Sequence, residues 1–545
     1  MRKTLRTTVA VGLAVLASGT ATHFTAASFP SDDRTIVHVL NRAGFGPRAG
    51  DVAAVRAIGL QRYIEQQLQP DQIADAGVAG RLSGLTTIGM SSREIAERFE
   101  IPQLRMRQER KLQAARSGSE NQPAPPPRAT PEMQQRANQV VQDLAQQKLI
   151  RAIYSERQLQ EVLTDFWFNH FNVDARKGRV RFMLTEYERD AIRPHVLGRF
   201  SDLLEATARS PAMLFYLDNW QSAAPNSPDI DAAAARRRQA LGRRPGRGRA
   251  LGQPLPAAPA QQPVNRPRRG LNENYGRELM ELHTLGVDGG YTQQDVTEVA
   301  RAFTGWTIEN PRQGAGYRFD PRLHDDGEKV VLGHRIKAGG GERDGIEVLD
   351  LLSRHPSTAR FIATKLVRRF VSDTPPPALV ERAAGRFRQT DGDLREVMRT
   401  ILTSPEFLSV EAYRAKVKTP FEFMVSTIRA TGAEVQDGLP LVRAMQQLGM
   451  PLYACQPPTG YRDTADVWMN TGALVSRMNI ALSVAANQMR GVSIASQSLP
   501  TDSRGVAEVI LNGDVSEATL ATIAKATTAP QMLALAVGAP EFQRR

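Results

Sequence analysis

Seven polar side chains crowd one short stretch of the chain: Asn272, Glu273, Asn274, Arg277, Glu278, Glu281 and His283. Two carboxylates and an imidazole at this spacing are the parts of general acid–base chemistry. On an α-helix Asn274, Glu278 and Glu281 share one face, and Arg277 lies one turn from both Glu273 and Glu281. Glu278, Glu281 and His283 are therefore the candidate catalytic groups. The plainer reading of the same spacing is a solvated face with i,i+4 ion pairs. A second donor cluster, Asn169, His170 and Asn172, joins Asn274, Arg277 and Trp306 as the candidate binding set. His170, His324 and Asp325 offer imidazole and carboxylate ligands, so a divalent metal is the candidate cofactor. No H-E-x-x-H occurs, and the ligands would have to come from separate segments. The run VDGGYTQQD (287–295) lacks the first-half acids of a calcium loop and reads as a turn. G-x-S-x-G and P-loop patterns are absent, which removes the main support for serine-hydrolase and nucleotide-binding readings. The lone Cys455 has no histidine in its stretch and reads as a buried structural thiol.

The elements that must position these groups are helical. Leu271–Ile308 reads as helix, tight turn, helix. Leu279, Met280, Leu282 and Leu285 form an apolar stripe, Gly286 stops the first helix, and Thr292 with Asp295 caps the second. Glu156–Asn172 is a strong helix whose Leu159, Val162, Leu163, Phe166 and Trp167 pack, with Glu161, Asp165 and Asn169 on the other face. Carboxylates on a helix flanked by so apolar a stripe need partners, because an unpaired buried charge is costly. The expectation is that the central helix faces the helix bearing Asn169 and His170 across one polar cleft. In Arg34–Leu68, two amphipathic helices flank the Gly44–Pro47 turn, with His38 and Arg42 as a structural polar pair. The one good hairpin signal is Asp326-Gly327 within Tyr317–Ile336. Two Ser-Pro joins, at 210–211 and 404–405, read as corners that start a new helix. The predicted fold is all-α, mainly helical with multi-helix orthogonal packing, plus one small β-hairpin and two disordered insertions. Those insertions are 117–130 and 222–270, too poor in apolar residues to offset the entropy of ordering.

The 545 residues suffice for a large core. Arg2, Lys3 and Arg6 precede the apolar run Thr8–Ala17 and then small residues, which predicts a signal peptide over 1–27 and an exported protein. No segment is apolar enough to span a bilayer. The net charge of +13 is deceptive. Ten arginines and no acid lie in 236–269, and the leader carries three more cations, so the remaining chain is near neutral. That tract has no aromatic residue, which argues against specific nucleic-acid binding. In an exported protein its counter-ions would be anionic envelope polymer or lipid headgroups, and the plainer reading is a passive solvated insertion.

The stretch NENYGRELMELHTLGVDGGYTQQDVTEVARAFTGW (272–306) resembles the signature of a bacterial family known as domain of unknown function 1800. HVLNRAGFGP (38–47), LTDFWFNHFNV (163–173), HDDGEKVVLG (324–333) and YRAKVKTPFEF (413–423) resemble it too, in order. The resemblance covers about 33–490 and leaves 499–545 as a helical extension. It implies an exported, mostly helical protein in the periplasm, at the cell surface or outside the cell, and implies no activity. Trp167, Phe168, Phe171, Tyr291, Trp306 and Tyr317 set aromatic faces near polar groups, as a sugar-binding cleft needs, though the plainer reading is ordinary helical core. The expected function is non-catalytic binding of an envelope polymer or exported protein partner through a polar and aromatic cleft. The alternative is a metal-assisted hydrolase acting on such a polymer.

Overall fold

The computed structural model describes residues 32–106, 108–109, 131–228, 270–310, 316–495 and 500–545. The predicted signal peptide 1–27, the predicted insertion 117–130 and nearly all of the predicted insertion 222–270 lie outside the described residues. The chain is mainly helical, with three two-stranded antiparallel sheets among the described residues.

Capping chemistry begins many of the helices. The Asp32 carboxylate accepts from Thr35 N to open Asp33–Arg42. Ser210 accepts from Ala212 N, with Pro211 in the first turn, to open Pro211–Tyr216. Thr419 and Glu422 form a full capping box on Pro420–Thr431, and Thr292 with Asp295 does the same on Gln293–Ala302. The second Ser-Pro join behaves differently. Ser404 Oγ donates to Ile401 O and accepts from Phe407 N, so the chain turns there without starting a helix.

The central pair is close-packed. Asn272 caps Glu273–Glu278 by accepting from Asn274 N. A side chain at Gly276 would meet Val296 O at 3.0 Å and Ala300 N at 3.1 Å, so the bare glycine lets the two helix backbones touch. The helix then widens into a π-turn over Leu279–Thr284, with Leu285 N bonded to Met280 O at 2.8 Å, and ends at Gly286 with φ +82°.

Strands β1 (Trp306–Ile308) and β2 (Tyr317–Phe319) pair, as do β3 (Lys329–Val331) with β4 (His334–Ile336) and β5 (Glu434–Val435) with β6 (Val492–Ser493). The hairpin turn is Leu332-Gly333, at φ +51° and +77°, not Asp326-Gly327. Asp325 is instead held by Arg301, and the carbonyls of Asp325 and Gly327 wrap the Lys329 ammonium. Those bonds fix the Asp-Gly pair in a loop ahead of the strand.

One buried core runs from Ile36 to Phe542. Residues 500–545, set apart by the sequence as an extension, contribute Val506, Ile510, Leu533 and Phe542 to it. Their end pairs with Lys416–Lys418 through Arg545 N to Lys416 O, 2.8 Å, and Lys418 N to Gln543 O, 2.9 Å. His38 and Arg42 serve this packing: both are buried, on the carbonyls of Phe407 at 2.8 Å and Ala412 at 2.6 Å.

Candidate functional site

The helix Gln158–His170 buries Leu159, Val162, Leu163 and Trp167, and its last turn delivers His170 into an aromatic box. The His170 ring meets Phe171 edge-on at 4.5 Å and Trp167 at 5.3 Å. Its Nε2 lies 3.1 Å from His283 O. A carbonyl only accepts, so Nε2 carries the proton and Nδ1 holds a lone pair. That lone pair faces Lys365 Nζ at 2.8 Å. Burial, and then Lys365, hold His170 well below its usual pKa. His283 is likewise buried and pulled down to about 3, by burial and then by Lys365.

Lys365 lies on Pro356–Phe370, one turn before Arg368 and Arg369. Part of the residue reaches solvent, while its ammonium points to buried His170; burial, then Arg368, pull it down to about 8. These residues line a cleft of about 440 Å³ shared with Phe166, Asn169 and the loop Thr459–Thr464. The acids in this cleft are already engaged. Asp165 pairs with Lys148 at 2.7 Å, Asp373 with Lys416, and Asp463 with Lys416 at 3.5 Å and Arg369 at 3.6 Å. Arg462 pairs with Asp466 at 3.2 Å. Among the described residues, Lys365 and Arg368 have no carboxylate within ion-pair distance. The cleft therefore presents two cations without a directly paired carboxylate, Asp463 acting on Lys365 only through space, beside the half-buried faces of Phe166 and Tyr461.

The two asparagines build this cleft rather than line it with free donors. Asn169 Nδ2 donates to Tyr461 O at 2.8 Å, and Tyr461 N donates back to Asn169 Oδ1 at 2.7 Å. Asn172 Nδ2 donates to Cys455 O at 2.9 Å and Pro457 O at 2.8 Å. Together they pin the segment Cys455–Tyr461. Gly460, at φ +73°, seats against Asn169, where a Cβ would come within 2.2 Å of the Asn169 carbonyl oxygen. Cys455 is buried, and burial followed by Asp174 pushes its thiol up to about 11, away from nucleophilic use.

Glu278 belongs to a second cleft, of about 630 Å³, with Asp174, Arg176, Lys177, Tyr216 and Asn274. The pinned loop is common to both: Gln456 and Pro458 line one, Thr459 and Tyr461 the other. The single polar cleft expected from the sequence is thus two. The central helix does meet the His170 helix, through a ring nitrogen on the His283 backbone oxygen. Glu278 is half-buried with its carboxyl raised, by burial and then by Glu281. Glu281 meets Tyr291 Oη at 3.4 Å, and Arg277 serves Gln293 at 2.8 Å and Glu273 at 3.7 Å. Asn274 Nδ2 makes a long 3.4 Å contact to Leu217 O. Trp306 is fully buried, with Gly345 so close that a Cβ there would sit 2.6 Å from its ring, so it is core and not cleft wall.

The candidate metal ligands are not brought together. Both His170 nitrogens are taken, one facing an ammonium. His324 is buried against Asp344 at 3.2 Å, which also binds Lys329 at 2.6 Å, and Asp325 is bound by Arg301. Among the described residues no three His, Cys, Asp or Glu side chains converge as a metal would need. Lys365 and Arg368 are what sequence reasoning missed. The available signal was Lys365 itself, which lies on the helical stripe Thr358–Ile362–Arg369, all buried, where a lysine is out of place.

A family model described as "Protein of unknown function (DUF1800)" matches residues 38–544. No curated protein and no solved structure matches the chain.

Proposed function

This chain belongs to the DUF1800 family, and we propose that it is an exported, non-catalytic binder of a carboxylate-bearing polymer, an acidic sugar chain, in the Lys365 cleft. The observation that carries this reading is that, among the described residues, Lys365 and Arg368 face the cleft with no carboxylate at ion-pair distance, while Asp165, Asp373 and Asp463 are bound by other cations. An anion supplied by a ligand would complete them. Arg368 offers a fork matched to a carboxylate, and Lys365 a point charge. Phe166 and Tyr461 offer apolar faces for a sugar ring. The three acids keep the cleft only weakly positive, which suits one carboxylate per residue of polymer better than dense phosphate. The basic, apolar-cored leader supports export. No described helix is long and apolar enough to cross a membrane.

The test is calorimetric titration of the full chain with trigalacturonate and with the uncharged maltotriose. The expected result is saturable binding of the acidic sugar alone, weakened at least about tenfold by Arg368→Gln or Lys365→Gln, which corresponds to ~1.4 kcal/mol. Equal binding of the two sugars, or indifference to both substitutions, overturns it.

A further inference from the structure

A primary amine at the end of an open cleft, next to an anion-binding arginine, can do more than attract charge. It can form a covalent imine with a carbonyl. Resting on the anion-binding reading above, we infer that Lys365 is a reactive amine, capturing ligands that carry an aldehyde or ketone beside a carboxylate.

Three observations support it. First, Lys365 Nζ is held by a neutral acceptor: His170 Nδ1 takes one of its N–H groups at 2.8 Å, and no carboxylate among the described residues lies within ion-pair distance to lock it as an ammonium. Second, Arg368 follows one helical turn later on the same cleft wall, where it can hold the ligand's carboxylate while Nζ meets the carbonyl carbon. Third, the ammonium is pulled down to about 8 by burial and then by Arg368, so a usable fraction is free amine near neutral pH. The bond changes balance without any outside oxidant or reductant. The Nζ lone pair attacks the carbonyl carbon, a proton moves from nitrogen to the former carbonyl oxygen to give a carbinolamine, and water leaves as the C=N bond forms. The reaction is reversible.

A second lysine separates the cleft from simple acidity. Lys418 is also buried and is pulled down to about 7, by burival of its ammonium against the partly offsetting charge of Glu422. It faces a cavity of only about 30 Å³, room for little more than one water. A low pKa alone would favour Lys418; a low pKa in a cleft that admits a ligand favours Lys365.

The experiment treats the full-length protein with glyoxylate and sodium cyanoborohydride, which reduces any imine to a stable carboxymethyl-lysine, and maps the modified peptides by mass spectrometry. The expected result is carboxymethylation of Lys365 at least about tenfold faster than of Lys418 or the average surface lysine, lost when the protein is unfolded in urea. Trigalacturonate should slow it. Labelling of Lys365 no faster than of surface lysines overturns the inference, as does preferential labelling of Lys418. Lys365→Arg should leave nothing to trap in the cleft. The two readings are separated on the unsubstituted protein, with trapping and trigalacturonate binding measured side by side. Full trigalacturonate binding with no selective trapping sinks the reactive amine alone, whereas no trigalacturonate binding sinks the binding reading beneath it.

Discussion

His283 and His38 are imidazoles buried in the core. Each has a folded pKa near 3, with burial as the first cause, against an unfolded value near 6.5. Between those values the unfolded chain holds a proton that the folded chain refuses, so stability rises with pH there and is lost as pH falls from about 6.5 toward 3. Urea midpoints measured across that window should fall steadily on acidification, and His283→Asn should flatten part of the slope. A midpoint that does not move between pH 7 and pH 4 contradicts this. Asn169 acts through geometry instead of charge. Removing both of its loop bonds with Asn169→Ala leaves the Tyr461 amide and carbonyl without partners and should cost about 1–3 kcal/mol. Limited proteolysis should then cut near 456–464, and an unchanged cleavage pattern would count against the staple.

At the scale of elements, the central helix explains why the site was only half legible. The sequence marks both helices, the Gly286 stop and the Thr292 cap, all of which are local chemistry. It places Asn274, Glu278 and Glu281 on one face by counting 3.6 residues per turn. The π-turn at Leu279–Thr284 puts an extra residue into that count, so everything after it rotates. His283 goes into the core and Glu281 turns toward Tyr291. Periodicity has no means of announcing a π-turn. The Asp326-Gly327 hairpin signal misled for a related reason, since Arg301 and Lys329, a helix and a strand away, claimed that loop first. The loop Cys455–Tyr461 is the other element on which the site depends, and Gly460 is its tightest point. Gly460→Ala must fit a Cβ against the Asn169 carbonyl at positive φ. It should cost at least ~2 kcal/mol of unfolding free energy, from overpacking and the left-handed backbone together. Wild-type stability in that variant would show that the loop can shift freely.

Over the whole molecule, the helical class was readable from patterning and the long-range ion network was not. Glu422 sits in YRAKVKTPFEF as an unremarkable capping-box residue. In the fold it binds Arg369 at 2.7 Å and Arg545 at 2.9 Å, drawn from segments far apart in the chain. Burial works against its ionisation, yet Arg369 and Arg545 hold the carboxyl below its usual value. The same Arg369 touches Asp463 and Asp165, so the network that ties Arg545 to the middle of the chain also lines the Lys365 cleft. Glu422→Gln should cost about 3–5 kcal/mol, because it removes the carboxylate that buried Arg545 binds and the nearest of those around buried Arg369. Chemical denaturation that shows a loss below about 1 kcal/mol would mean water already screens the network.

The claim on which the account turns is that Lys365 and Arg368 wait for a ligand's carboxylate. A crystal structure of the protein grown with trigalacturonate tests it directly. The predicted result is a uronate carboxylate oxygen about 3 Å from Lys365 Nζ and from an Arg368 nitrogen, with a sugar ring against Phe166 or Tyr461. Sugar density in the Glu278 cleft with the Lys365 cleft holding only solvent would contradict it.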